Sequence, residues 1–330
     1  MARPMNPFKP HTIRTNVNFV FETADLLADP DTPIPLVSPV TGPEVNTSGT
    51  IGFNDGGGLN WLRSAPIGGA VTPSSSRLMT TYTSGAVGKY NVAVHFDGVS
   101  NQSTGGWTSA MQQVIVSVSE RISKLIVGDL PPVVVNGRKV DDMQITAMLT
   151  DIDGAGGILG QAGMTAIRPT SLLPYTGVMR FDTADVQRYL ATGLFDEIVT
   201  HEMLTCVGYG TLWKAKGLVA GTNFIGPHTV AAYNDLVDEY AATHGGSMTL
   251  ANGTVLVKDL IPLEIAGGAG TAGQHWSENV FNTELMTGFL DSAAANGSVV
   301  APLSAMTMAS LRDLGYMTGD AGATDAFRLI

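Results

Sequence analysis

Two neighbouring residues near the middle of the chain have the types needed to hold a metal and move a proton. His201 and Glu202 stand in the stretch THEMLTCVGYGTLW, residues 200–213. When a helix carries His-Glu-x-x-His, the two histidines lie one turn apart on one face and ligate zinc. The glutamate beside the first histidine then reaches the metal's water and takes its proton. Here Thr205 occupies the position of the second histidine. A neutral hydroxyl is a poor zinc ligand beside imidazole, thiolate or carboxylate. Taken alone, the pentad favours a buried histidine and a surface glutamate on an ordinary helix.

Other reactive side chains fit structural roles. Cys206, the only cysteine, is five residues from His201. That is ~140° around a helix of 3.6 residues per turn, so it points away and is expected to be a buried, small apolar group. His11, His95 and His244 are read as ordinary polar residues, and Trp276 as packing. DGAGGILGQAG (153–163) lacks the Lys-Ser/Thr of a phosphate loop and the G-x-G-x-x-G spacing. It is read as a structural glycine loop. DIDG (151–154) lacks the twelve-residue calcium loop with its closing glutamate. No Gly-x-Ser-x-Gly elbow is present.

The elements that must position His201 follow from periodicity. KYNVAVHFDG (89–98) alternates as a strand does. GWTSAMQQVIVSVSERISKLIVG (106–128) is an amphipathic helix, with Gly128 as its expected C-cap. VDDMQITAMLTDID (140–153) and YTGVMRFDT (175–183) read as strands, with GAGGILGQAG (154–163) as a loop between them. TADVQRYLATG (183–193) reads as a short helix and GLFDEIVTHEMLTCVG (193–208) as a helix ended by glycine. Residues 209–274 are rich in loops around one helix, GPHTVAAYNDLVDEYAATHG, and SAMTMASLRDLGY (304–316) is the last helix. Upstream, TIRTNVNFVF (12–21), GTIGFNDGGGLNWL (49–62) and SRLMTTYTSG (76–85) read as short strands around a proline-rich loop. The expected class is α/β or α+β, a mixed sheet backed by helices, behind a β-rich N-terminal region at 1–89.

The totals narrow the function. The 330 residues carry 18 Lys and Arg against 29 Asp and Glu, a net charge of −11. Nucleic-acid binding needs clustered basic side chains, so it is excluded as an expectation. No run of ~18 apolar residues spans a membrane. A lone cysteine excludes an internal disulfide. The first twenty residues have no apolar signal core, so either there is no cleavable signal or it has been removed. Oligomeric state is not readable.

HEMLTCVGYGTLW resembles the active-site helix of leishmanolysin-like metallopeptidases, a branch of the metzincin clan. Gly208 stands where that helix ends. His275, 67 residues later in GGAGTAGQHWSENVFNTELMTG, resembles the family's third-ligand segment. Met286, in ELMTG, matches the Met-turn residue, whose side chain lies as an apolar floor beneath the metal. ILGQAGMTAIRP, LPYTGVMRFDTADV, FIGPHTVAAYNDL, IPLE and PLSAMTMASLRDLGY resemble further segments in the same order. The likeness runs from Tyr90 to Tyr316. It implies a metzincin-like catalytic domain at 90–320, with a family insertion at 210–274 and a tail at 321–330.

The resemblance implies a zinc endopeptidase acting on protein or peptide substrates. His201 and His275 would be ligands and Glu202 the general base, later the acid toward the leaving amine. The Zn2+ would polarise the scissile carbonyl. The substrate would pair with an edge strand above the cleft. Glu278 and Glu284 would orient the third-ligand loop through hydrogen bonds. Export is expected, with DAFRLI (325–330) as a conceivable export tail. Thr205 leaves four outcomes open. It disables an otherwise intact protease, another residue completes the site, two histidines and waters hold zinc weakly, or the cleft only binds peptides. The first is favoured, with an inactive peptide-binding or structural module as the rival.

Overall fold

The computed structural model describes residues 78–98, 106–135, 137–156, 158–268, 270–289, 301–319 and 324–330. The expected strands at 12–21 and 49–62, the proline-rich loop and His11 lie outside them.

The described residues form a mixed α/β domain around a five-stranded sheet. The strands are β1 (Thr81–Thr83), β2 (Val92–Phe96), β5 (Met143–Thr150), β7 (Pro174–Asp182) and β6 (Gly160–Ile167), in that spatial order. β2, β5 and β7 run parallel, while β1 and β6 pair antiparallel at the two edges. A parallel neighbour needs a crossover, and helix α1 (Ser109–Leu125) supplies the one between β2 and β5. Its buried residues include Met111, Ile115, Val118, Ile122 and Leu125, the spacing of one helical face. A small hairpin of β3 (Val133–Val135) and β4 (Arg138–Val140) precedes β5. β1, in the stretch read as N-terminal region, pairs with β2 and so joins the main sheet.

Two local expectations are corrected. Helix α1 is not capped by Gly128. It ends at Ile126, whose extended backbone (φ −94°, ψ 107°) forms a bridge with Thr318. Pairing with the chain after the last helix thus takes over the carbonyls and amides that a glycine cap would have satisfied. The second correction concerns 154–163. Gly160 to Gly163 are not loop but the first half of edge strand β6. Their glycines serve close packing, described below, rather than a turn.

After β7 come α2 (Val186–Thr192), closed by Gly193 at φ 77°, and α3 (Phe195–Cys206). Every residue of α3 except Asp196 is buried, as befits a helix enclosed on all sides. It packs on β6, β7, α1 and α2. Asp196 and Glu197 sit in its first turn, where carboxylates suit the helix dipole. Residues 210–274 hold two-residue strands β8 (Val219–Ala220), β9 (Asn223–Phe224) and β10 (Ile261–Pro262) and helix α4 (Pro227–Thr243). α5 (Glu278–Phe281) and α6 (Ala305–Leu314) follow, with α6 packed on α4. Among the described residues no helix is long and apolar enough to cross a membrane.

Candidate metal centre

Helix α3 delivers His201 and Glu202, and its end is shaped to let the next segment approach. Gly208 takes φ 97° and its amide bonds the Thr205 carbonyl, while the Tyr209 amide bonds that of Leu204. This left-handed exit is what the glycine provides. Gly210, at φ 70°, brings the backbone so close to Gln274 that a Cβ there would stand 2.2 Å from the Gln274 oxygen. His275 follows directly. Beneath lies an aromatic cluster, in which Trp276 stacks on Trp213 at 4.7 Å and meets Tyr209 and Phe224 edge-on. Trp276 is therefore packing, as expected, although its indole Nε1 also donates to Thr307 Oγ1 at 2.8 Å.

His201 and His275, 74 residues apart, meet ring to ring. Their centroids are 5.1 Å apart with planes 11° from parallel, and the two Nε2 atoms are 3.1 Å apart. His201 Nδ1 lies 3.0 Å from the Leu285 carbonyl, and His275 Nδ1 lies 3.1 Å from that of Thr271. A carbonyl only accepts, so each Nδ1 carries the proton. Each neutral ring then presents a lone pair at Nε2, and the two lone pairs face each other. Burial lowers the His201 pKa to about 4. Burial and then the charge of His201 lower that of His275 to about 3. Both rings are neutral at physiological pH, and the facing lone pairs repel unless a cation lies between them.

Zinc fits that pair. Zn–N bonds of about 2.0–2.1 Å at a tetrahedral angle put two ligand nitrogens about 3.3 Å apart. Neutral imidazoles whose second nitrogen donates to a carbonyl are the usual form of zinc-ligating histidine.

Glu202 is wholly buried, and neither carboxyl oxygen has a hydrogen-bond partner among the described residues. Burial pushes its pKa well above the usual carboxylate range. Edge strand β6 starts over it: a Cβ on Gly160 would stand 2.9 Å from Glu202 Oε1. A buried polar group left without a partner costs on the order of 1–3 kcal/mol, and such groups concentrate at functional sites.

Thr205 turns its hydroxyl back into the helix, donating to the His201 carbonyl at 3.1 Å. Cys206 faces the sheet, with Sγ 3.3 Å from the Val178 carbonyl, and burial raises its thiol pKa. It does not join the histidines, in keeping with the angle read from the sequence. His228 lies at the start of α4, its Nδ1 2.8 Å from Asp313 Oδ1 on α6. His244 ends α4 against Tyr240, and His95 sits on β2. Among the described residues, no group of three or more His, Cys, Asp and Glu side chains is arranged around a metal position. The DIDG segment is a loop held by Asp182, whose Oδ2 accepts from the amides of Ile152, Asp153 and Gly154.

Met286 is fully buried beside the pair. Its carbonyl accepts from the Trp276 amide at 3.2 Å and from the Tyr209 hydroxyl at 3.3 Å. Sequence reasoning missed three supports. The Leu285 and Thr271 carbonyls are backbone atoms, which no side-chain pattern announces. Glu264 holds the His275 segment: its amide donates to the His275 carbonyl at 2.9 Å, and its Oε2 accepts the Glu278 amide at 2.9 Å. Its only signal was its place in IPLE. No protein-family model matches the chain, and no curated protein matches it.

Proposed function

We propose that this chain is a zinc endopeptidase scaffold of the leishmanolysin-like, metzincin kind whose metal site is impaired at Thr205. The observation that carries the reading is the meeting of His201 and His275 through facing Nε2 lone pairs 3.1 Å apart. Further support comes from the Glu202 carboxyl, one residue from His201 and without a hydrogen-bond partner among the described residues. The mixed sheet supports it too, with antiparallel edge strand β6 reaching Glu202.

His201 and His275 would hold the ion. A zinc ion bound there would supply Lewis acidity toward a carbonyl oxygen and lower the pKa of water toward neutrality. Glu202 would take the proton from the attacking water and return it to the leaving amine, which requires its carboxyl to ionise beside a cation. Among the described residues the outer side of β6 pairs with no other strand, so an extended peptide would bond to it and present its scissile bond near Gly160. All three site side chains are buried, so substrate must displace what covers them.

The second reading is a peptide-binding module on the same scaffold. It draws on the Thr205 hydroxyl, which is committed to its own helix. Thr205→His separates the two. The protease reading expects the variant to bind zinc more tightly than the parent and to cleave an unfolded protein such as casein. Adding Glu202→Gln should lower that cleavage by about 10²–10⁴-fold. Tight zinc without cleavage would favour the binding module, and no gain in zinc would defeat the metal reading.

A further inference from the structure

Glu284 lies 1% exposed and touches neither histidine, yet its carboxylate collects four donors. Oε1 accepts from the Ser304 amide at 3.1 Å, the Ser304 hydroxyl at 2.6 Å and the Thr307 hydroxyl at 2.6 Å. Oε2 accepts from the Met286 amide at 2.6 Å. A buried carboxylate needs such donors, and the N-terminus of α6 adds a favourable dipole. Stability of α6 would need only the Oε1 side. The Oε2 side does something else.

The Met286 N–H and the Leu285 C=O belong to one peptide unit. That unit is planar and trans, so its two polar groups point in opposite directions. One end is held by Glu284 Oε2, and the other accepts His201 Nδ1 at 3.0 Å. Fixing the amide therefore fixes the carbonyl that sets the tautomer and tilt of His201. The Leu285 amide, bonded to the Pro302 carbonyl at 3.0 Å, keeps the turn in place.

The second histidine hangs from the same residue. The His275 C=O and the Trp276 N–H form one peptide unit, clamped between the Glu264 amide and the Met286 carbonyl. The Trp276 indole donates to Thr307 Oγ1, which donates onward to Glu284 Oε1. Two routes thus run from one carboxylate to the His275 mount, and one runs to His201.

We propose that Glu284 is the positioning residue of the two-histidine centre, a single buried carboxylate that sets the stance of both imidazoles through the Leu285–Met286 peptide and through Thr307 and Trp276. This deepens the metal reading above and rests on it. Outer hydrogen-bond partners of this kind commonly change metal affinity by about 10–100-fold.

Glu284→Gln tests it. The glutamine oxygen can keep the three α6 donors, while its NH2 then meets the Met286 N–H, donor against donor. The variant therefore spares α6 and breaks the Met286 link. Two readouts are taken: long-range ¹H–¹⁵N spectra of the six histidines without metal, and zinc affinity by titration of the full chain with zinc alone. We expect His201 to leave the pure Nδ1–H tautomer and the zinc Kd to rise about 10–100-fold. Asp182→Asn, which loosens the 152–154 loop, should change neither. An unchanged His201 tautomer together with an unchanged Kd, whatever the loss of thermal stability, overturns the proposal. If the parent chain binds no zinc, the metal reading fails, while the tautomer readout still decides the role of Glu284. Thr307→Val provides a test should Glu284→Gln not fold. It deletes the hydroxyl joining the carboxylate to Trp276 and is expected to raise the zinc Kd about tenfold; a parental Kd would overturn the proposal.

Discussion

Gly210→Ala should damage the candidate metal centre without touching any of its side chains. Gly210 sits at φ 70°, and an added Cβ would stand 2.2 Å from the Gln274 oxygen. Ordinary contact begins near 3.4 Å, so the 274–275 backbone must retreat by about 1 Å or the helix exit must bend, overpacking that costs about 1–3 kcal/mol. The left-handed φ adds about 1–2 kcal/mol for any residue with a Cβ. The displacement falls on His275, whose Nε2 stands 3.1 Å from that of His201. An error of about 1 Å at a reacting site can cost ~100-fold, so we expect the zinc Kd to rise by roughly that factor. Gly217→Ala is the control. Gly217 has nearly the same φ, 69°, but nothing within 4 Å of the added Cβ. It should lose about 1–2 kcal/mol in urea unfolding and keep its zinc affinity. Equal zinc affinities for the two variants would refute the argument that Gly210 exists for this close approach.

Two further outcomes follow from buried charge. Glu197 is raised from 4.5 to about 8, first by burial and then by Asp196 and Asp325, against the Ala301 amide and Arg121. The folded chain keeps this proton where the unfolded chain loses it. Stability should therefore be full below pH 4.5, fall as pH rises toward about 8, and then level off. Glu197→Gln should flatten that slope, whose upper bound is about 4–5 kcal/mol, in denaturant unfolding followed across pH. Asp313 accepts the amides of His228 and Thr229 and the Thr229 hydroxyl at the start of α4. Asp313→Ala should destabilise by about 2–4 kcal/mol, and faster amide exchange in the first turn of α4 checks it.

Much of the scaffold was legible because its signals are local. The apolar spacing of Met111, Ile115, Val118 and Ile122 is a helix in any context, and the structure places α1 there. Gly193 and Gly208 end their helices with positive φ, as glycines after periodic runs do. The misreading of 154–163 has a tertiary cause. Gly160 and Gly163 look like loop residues, but Gly160 admits Glu202, and the Gly163 carbonyl faces the Cys206 thiol at 3.8 Å. Packing of a helix onto a strand is invisible in the strand's own sequence. The pairing of His201 with His275 came from resemblance, since the 73 intervening residues carry no local signal that they meet. The atoms holding the two rings are backbone carbonyls, and the turn that presents one of them depends on a carboxylate bound to Ser304 and Thr307, some twenty residues on.

The central claim is that His201 and His275 form one cation site. Zinc titration of the parent chain, His201→Ala and His275→Ala tests it most directly, with stoichiometry and Kd measured together. One zinc per parent chain is expected, held weakly for want of a ligand at 205, with that site lost in each alanine variant. No binding to the parent, or binding that survives both substitutions, would contradict it.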